Sequence, residues 1–341
     1  MKLLFLGFGT VGQGLAELLL GKRDELKRRY GLDWAVTGIA DTLKGNAYDP
    51  GGIDLARALE LAGRGESLAA LDRAGKGWDG LAMARHGDAD VLFEATYTDI
   101  KTAEPATAHV RAALGRGVHV VTTNKGPLAL HYRELAELAR ANRAEFLFEG
   151  TVMSGTPLLN LLRETLAGAE VLEVQGILNG TTNYILTRME EGLSYEAALA
   201  KAQELGYAEA VPDADVLGWD ALAKVTILAN VAFGASLKPS DSPCEGITKI
   251  TAGDIASARG QGKRYKLVGR VWRDGGTVKA AVAPRLVELS HPLAGVSGAT
   301  NAATIRTDAL GEVTVVGPGA GRTQTGYAML SDLLHIVRRR P

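Results

Sequence analysis

Residues 1–12 read Met-Lys-Leu-Leu-Phe-Leu-Gly-Phe-Gly-Thr-Val-Gly. A short apolar strand runs straight into Gly7-x-Gly9-x-x-Gly12, and that order constrains the fold more than any other feature of the chain. Gly7 permits a tight turn, Gly9 lets a pyrophosphate approach the backbone, and Gly12 lets the next helix pack closely on the strand. Phosphates then sit on the helix N-terminus, where unpaired N–H groups and the helix dipole favour negative charge. Val11, Leu15, Leu18 and Leu19 fall at i, i+4, i+7 and i+8, the apolar stripe of that helix. The expectation is an α/β fold that opens on a Rossmann-like dinucleotide-binding domain, with Gly7, Phe8, Gly9, Thr10, Val11 and Gly12 forming the phosphate loop.

Trp34–Ala40 reads as a second strand with Asp41 at its end. An acidic residue there hydrogen-bonds the adenosine ribose 2′-OH and favours NAD over the phosphorylated cofactor. Asp41 lies 29 residues after Gly12 (41 − 12), against roughly 20 in the usual fingerprint. The charged stretch 21–31, read as the solvated end of the first helix, accounts for the excess. Lys44 and Arg57 lie near enough in sequence to hold a 2′-phosphate instead, so NAD and NADP both stay open. Strands over Asp90–Thr96 and Val118–Thr122 flank a helix over Ala103–Leu114, a βαβ unit with a parallel sheet. Ligands of open α/β sheets bind outside the carboxyl ends of the strands, which puts Thr96, Tyr97, Asn124 and Lys125 on the functional rim.

Composition narrows the partners. The chain of 341 residues is 46% hydrophobic and 23% charged, with a formal net charge of −1. That balance gives no sign of a nucleic-acid or anionic-membrane partner. No apolar run approaches the roughly 18 residues of a membrane span, and Leu3–Leu6 is too short for the core of a signal peptide. The single Cys244 excludes an intramolecular disulfide and a multi-cysteine metal site. A cytoplasmic location is expected.

A second domain, richer in mixed sheet and helix, is expected from residue 135. Phe146–Phe148 reads as a strand ended by Glu149-Gly150-Thr151. Thr156 is placed as the N-cap, and Pro157 as the first residue, of a helix over Pro157–Leu166. Val171–Leu178 leads into the polar turn Asn179-Gly180-Thr181-Thr182-Asn183 and another helix. Arg264–Trp272, Thr277–Val282 and Val313–Gly317 read as late strands, followed by a helix over Thr323–Arg338. Between these last two, Gly317-Pro318-Gly319-Ala320-Gly321 offers backbone for a phosphate or a nicotinamide.

Glu209, Asp213, Asp215 and Asp220 crowd four carboxylates into twelve residues. The helix that follows, Trp219–Phe233, is apolar almost all round, and its charged residues are Asp220 and Lys224 at i, i+4. A pair on so apolar a helix is at least partly buried, where desolvation is costly unless both charges are satisfied. Such a pair serves register, an interface or chemistry. Divalent-cation binding by the four acids lacks any supporting His or Cys. Hydride transfer to a carbonyl needs a positioned nicotinamide, groups that hold the substrate, and a cationic proton donor near the developing alkoxide. Lys125 on the sheet rim and Lys224 on the apolar helix both qualify. The neighbouring carboxylates suit a substrate ammonium, hence an amino-acid-like aldehyde or alcohol.

With these residues in hand, the chain resembles homoserine dehydrogenase. The matching pieces are Gly7–Gly12, Thr123-Asn124-Lys125, Glu149 through Pro157, and Asn179-Gly180-Thr181-Thr182-Asn183-Tyr184-Ile185. They continue with Leu205-Gly206-Tyr207-Ala208-Glu209 and Asp215-x-x-Gly218-Trp219-Asp220-x-x-x-Lys224. The resemblance implies NAD- or NADP-dependent interconversion of L-aspartate 4-semialdehyde and L-homoserine, by a short, monofunctional form without an amino-terminal kinase or a full C-terminal regulatory domain. It implies a nucleotide-binding domain over 1–134, rejoined by 311–341, and an α+β substrate and dimerisation domain over 135–310, in a homodimer. Lys224 would act as general acid and base, oriented by Asp220, while Lys125 would hold substrate and cofactor. Glu209 would bind the substrate ammonium with help from Asp215, and Gly180, Thr181 and Tyr207 would line the substrate site. Asp41, Thr96 and Gly321 join the phosphate loop on the cofactor. A monovalent cation such as sodium would sit on backbone oxygens of Glu149, Val152, Ser154 and Thr156. Val211-Pro212 and Val216-Leu217 depart from the family pattern. Two other readings stay open: another NAD(P)-dependent amino-acid dehydrogenase on the same scaffold, and a nucleotide sensor without turnover, which would have no need of Lys224.

Overall fold

A computed structural model describes residues 1–339. Its chain divides into two units, one of 1–155 with the segment from 321 onward, the other of 156–320.

The first unit is built on a six-stranded sheet in the order β3-β2-β1-β4-β5-β6. These strands are β1 (Lys2–Leu6), β2 (Ala35–Asp41), β3 (Gly45–Ile53), β4 (Val91–Glu94), β5 (His119–Thr122) and β6 (Phe146–Leu147). All neighbours pair in parallel except β2 with β3. Leu3, Leu4, Phe5 and Leu6 are all buried, as expected of a parallel strand covered on both faces. β1 lies between β2 and β4, so the strand order turns back on itself at β1. The glycine turn leaving β1 therefore stands at the topological switch point, where such sheets open a crevice for ligands. The C-terminal helix Arg322–Arg339 packs on helix Thr10–Gly21. A Cβ on Gly326 would lie 2.6 Å from Leu15 N, and one on Gly14 would lie 2.3 Å from Arg322 O. Glycine at both positions lets the two backbones touch.

Several expectations need correcting here. The first unit runs to Gly155 rather than 134, because β6 adds to the parallel sheet beside β5. Its C-terminal part begins at Gly321 rather than 311, because Gly311–Pro318 is an edge strand of the other sheet; Arg340 and Pro341, included in that expectation, lie outside the described residues. The charged stretch 21–31 is a separate helix, Arg23–Tyr30, closed by Gly31 at φ 65°. β3 is a strand the sequence does not announce, since Pro50, Gly51 and Gly52 interrupt it; an edge strand tolerates such residues.

The second unit holds a five-stranded sheet in the order β11-β10-β7-β8-β9, antiparallel throughout. Its strands are β7 (Val171–Ile177), β8 (Lys263–Asp274), β9 (Thr277–Glu288), β10 (Thr300–Thr307) and β11 (Gly311–Pro318). Helices Gly180–Glu190 and Trp219–Ala232 pack on it. Gly269 makes room for the second of these, since a Cβ there would lie 2.6 Å from Val225 Cγ1. β10 was not anticipated: Ala302, Ala303 and the polar Asn301, Thr304 and Arg306 break the apolar alternation that marks a strand. Thr156 is not a helix cap. Its Oγ1 donates to Pro318 O at 2.9 Å, and the segment that follows contains a π-helical stretch over Leu161–Thr165. Among the described residues, no helix is long and apolar enough to cross a membrane.

Candidate active site

The three glycines of the phosphate loop are required for three different reasons. Gly7 sits at φ +90°, and a Cβ there would lie 2.2 Å from Ala95 O. A Cβ on Gly12 would lie 2.4 Å from Gly7 O. Gly9 meets nothing within 4 Å, so its face is open space. Gly9 is also the N-cap of helix Thr10–Gly21, and no side chain caps that helix. The loop thus offers uncapped N–H groups beside an open backbone, which suits a pyrophosphate.

Asp41 closes the end of β2 from within. Its Oδ2 accepts from Phe8 N at 2.8 Å, and its Oδ1 accepts from Leu43 N and Lys44 N at 3.0 Å each. It therefore shapes the glycine turn that follows β1. Lys44 Nζ stands 3.8 Å from the same carboxylate, and Arg57 is paired to Glu60 at 2.7 Å.

The rim beyond β4 and β5 is organised by a residue the sequence reading passed over. Glu94, the last residue of β4, is fully buried. Its carboxylate accepts from Thr96 N at 3.3 Å and from Thr96 Oγ1, and Thr122 Oγ1 lies 3.3 Å from its other oxygen. Thr122 Oγ1 in turn accepts from Asn124 N at 3.0 Å. Asn124 donates to Thr96 O and Tyr97 O at 3.3 and 3.1 Å, and caps helix Lys125–Ala141 by accepting from Gly126 N at 3.1 Å. Thr96 and the first helical residue, Lys125, are thereby tied to one buried carboxylate. An acidic residue closing the apolar run Val91-Leu92-Phe93-Glu94 was the available signal.

Gly321, at φ +134°, precedes helix Arg322–Arg339, and its carbonyl accepts from Thr325 N at 2.9 Å. Ser154 holds φ +53°, a conformation an L-residue adopts only when its surroundings impose it; its Oγ is 2.8 Å from Thr325 Oγ1. Val152 is buried, and Glu149 N donates to Asp332 Oδ2 at 2.9 Å. Among the described residues no cluster of His, Cys, Asp or Glu side chains could hold a metal ion, so a cation on the stretch 149–156 would rest on main-chain oxygens.

In the second unit the structure brings together Lys224, Asp220, Asp215 and Asn179. Lys224 is 8% exposed and Asp220 18%. Lys224 Nζ donates to Asp220 Oδ2 at 2.8 Å and to Leu178 O at 2.6 Å. Asn179, which caps helix Gly180–Glu190, donates through Nδ2 to Asp215 Oδ1 at 2.6 Å and to Asp220 Oδ2 at 3.0 Å. Thr181 Oγ1 donates to Tyr207 O at 2.6 Å, and the Tyr207 ring lies 5.0 Å from that of Tyr184. Gly180 is pressed against the main chain, since a Cβ there would lie 2.6 Å from Ala299 O. Burial pushes the Asp215 carboxyl above its ordinary range, while the amide of Asn179 pulls it back down.

Glu209 and Asp213 do not join this cluster. Both are exposed, and the Glu209 main-chain oxygen accepts from Gln203 Nε2 at 3.0 Å. Of the four clustered carboxylates, the fold gathers two beside the lysine. The resulting site offers negative charge for an ammonium and a desolvated ammonium of its own for a developing oxyanion.

Comparison with known proteins places both parts of the chain in one family. Residues 7–149 match the family model "Homoserine dehydrogenase, NAD binding domain", and residues 157–334 match "Homoserine dehydrogenase". The NAD(+)-dependent homoserine dehydrogenase of Pseudomonas canavaninivorans is 45% identical over 98% of this chain and 96% of its own length. The homoserine dehydrogenase of Methanocaldococcus jannaschii is 42% identical over 98% of each chain. A hyperthermophilic archaeal homoserine dehydrogenase in complex with NADPH superimposes with a TM-score of 0.84 at 32% identity, covering 100% of this chain and 98% of the other.

Proposed function

The chain belongs to the homoserine dehydrogenase family, and we propose that the Asn179, Asp215, Asp220 and Lys224 cluster is where it binds and transforms its substrate. Its reaction is the NAD(P)-dependent interconversion of L-aspartate 4-semialdehyde and L-homoserine in the aspartate pathway. The observation that carries the site assignment is the buried Lys224 ammonium, held by Asp220 and Leu178 O. A nicotinamide bound there would supply or accept the hydride. Lys224 Nζ gives a proton to the aldehyde oxygen during reduction and takes it from the homoserine hydroxyl during oxidation. Asp220 and the Leu178 carbonyl keep that nitrogen in place. Asp215 holds the substrate ammonium from within the cluster, the exposed Glu209 is the second, solvent-facing carboxylate proposed for it, and Gly180, Thr181 and Tyr207 lie around the remainder. Lys125 and Thr96, anchored through Glu94, contact the cofactor together with Gly7–Gly12, Asp41 and Gly321.

NADH oxidation on addition of aspartate 4-semialdehyde tests the reaction, and Glu209→Gln tests the ammonium assignment. A charge-assisted hydrogen bond is worth roughly 1.5–3 kcal/mol, so KM for homoserine should rise by about one to two orders of magnitude. The Kd for NADH should stay at its wild-type value. Equal weakening of both would assign Glu209 to the nucleotide site or to the fold.

The proposed cofactor preference is NAD. Asp41 places a carboxylate at the end of β2, where a 2′-phosphate carrying about two negative charges would be repelled. Asp41→Ala should lower the ratio of kcat/KM for NADH to that for NADPH by about tenfold, a change of ~1.4 kcal/mol. Because Asp41 also anchors Phe8 N, both cofactors should weaken, so the ratio is the quantity that decides. An unchanged ratio would show that cofactor choice lies elsewhere.

We also propose a sodium-class cation on the main-chain oxygens of Glu149, Val152, Ser154 and Thr156, supported by the constrained backbone at Ser154. The proposed assembly is a homodimer and the proposed location the cytoplasm.

A further inference from the structure

We infer that Asn179 is a positioning residue that keeps Asp215 ionised, and thereby makes the site select substrates bearing an α-ammonium group. The inference rests on the substrate-site reading given above. Asn179 is buried, and the orientation of its amide is dictated by its neighbours. Thr182 N, which can only donate, points at Oδ1 from 2.9 Å, and Thr182 Oγ1 lies 2.9 Å from the same atom. Turning the amide over would set N–H against N–H. Nδ2 must therefore face the carboxylates, and its two hydrogens go one to Asp215 Oδ1 at 2.6 Å and one to Asp220 Oδ2 at 3.0 Å.

That single nitrogen holds two like charges side by side. Asp220 has Lys224 as a counter-ion at 2.8 Å. For Asp215 the nearest stabilising donor is the amide itself. The other groups facing Asp215 are Asp220 and Lys224 from helix Trp219–Ala232 and Thr181 from helix Gly180–Glu190. Desolvation and the Asp220 charge favour protonation of Asp215; the Asn179 amide, Lys224 and Thr181 oppose it, the amide most strongly. A protonated Asp215 has no charge to offer an ammonium. The ionised form is present above the carboxyl pKa and lost as pH falls through it, so removing the amide should move that loss to higher pH.

Asn179→Ser separates this role from helix capping, because serine supplies an equally good N-cap oxygen but no second donor. Homoserine and 4-hydroxybutyrate, which lacks only the amino group, are the paired substrates. The expected result has two parts: the acid limb of kcat/KM for homoserine rises by roughly one pH unit, and kcat/KM at neutral pH falls about tenfold further for homoserine than for 4-hydroxybutyrate, whose own fall reports the lost hydrogen bond to Asp220. A purely structural asparagine would depress both substrates alike and leave the acid limb where it was, and either outcome overturns the inference. Asp215→Asn provides an independent check should the serine variant fold poorly: the acid limb should vanish, and its survival would show that Asp215 is not the group. Failure of the underlying site reading has its own signature, full turnover in Lys224→Ala.

Discussion

Lys224→Ala should lower kcat by roughly 10²–10⁴, the usual worth of a positioned general acid or base, while NADH still binds. Lys224 is almost wholly buried on a helix whose other residues are mostly apolar, and its ammonium is aimed by Asp220 Oδ2 and Leu178 O. A lysine so placed spends little reorganisation on reaching a developing alkoxide. The substitution also leaves Asp220 without its counter-ion, and breaking a buried pair costs up to about 3–5 kcal/mol. Asp220 is 18% exposed and keeps the Asn179 amide, so the loss of stability should lie below that range. Activity and Tm must therefore be read together. The rival donor is Lys125, at the start of helix Lys125–Ala141. Rescue by added small amines should restore turnover to Lys224→Ala and not to Lys125→Ala. Near-normal kcat with a lowered Tm would make the Asp220–Lys224 pair structural.

The second large effect is expected at Gly7. Alanine there must adopt φ +90° and place its Cβ 2.2 Å from Ala95 O, 2.4 Å from Ala95 C and 2.7 Å from Thr96 N. All three are main-chain atoms at the end of β4, so no flexible side chain can move aside. Unfavourable φ contributes about 1–3 kcal/mol and overpacking about 1–3 kcal/mol more. Gly7→Ala should thus lose roughly 2–6 kcal/mol of stability and bind NADH poorly even where it folds, because the turn that aims the phosphate loop is displaced. Gly9→Ala is the contrast. Its Cβ meets nothing, so Tm should hold while NADH affinity falls, the methyl standing where a phosphate approaches. Thermal melts and NADH titration of the two variants separate fold from site. A Gly7→Ala protein with wild-type Tm and Kd would overturn this account of the turn.

How much of this was legible before the fold was known follows from the range of each signal. The phosphate loop could be read because strand, turn and helix are consecutive, and each glycine's task is set within a few residues of itself. The Asp220–Lys224 pair could be read because i, i+4 residues are neighbours on any helix, and the apolar surroundings of that helix already implied burial. The Asn179 turn announced itself as a helix start through Asn179 and the threonines after it. None of these needed a contact distant in sequence.

What only the tertiary structure decided is which polar groups converge. Glu209 and Asp215 stand six residues apart, yet one points to solvent and the other is held by Asn179, 36 residues earlier in the chain. Glu94 looks like the charged end of a strand, and becomes the anchor of the rim only because β5 lies beside β4 and brings Thr122 to it. β11 was assigned to the wrong unit because its sequence carries no mark of its partner; β10, which captures it, was itself hidden by small and polar residues. Periodicity and capping are properties of a few consecutive residues and survive in any context. Pairing between distant strands, and the burial that follows from it, depends on the whole chain having folded, and that is where a carboxylate's partner and its charge are set.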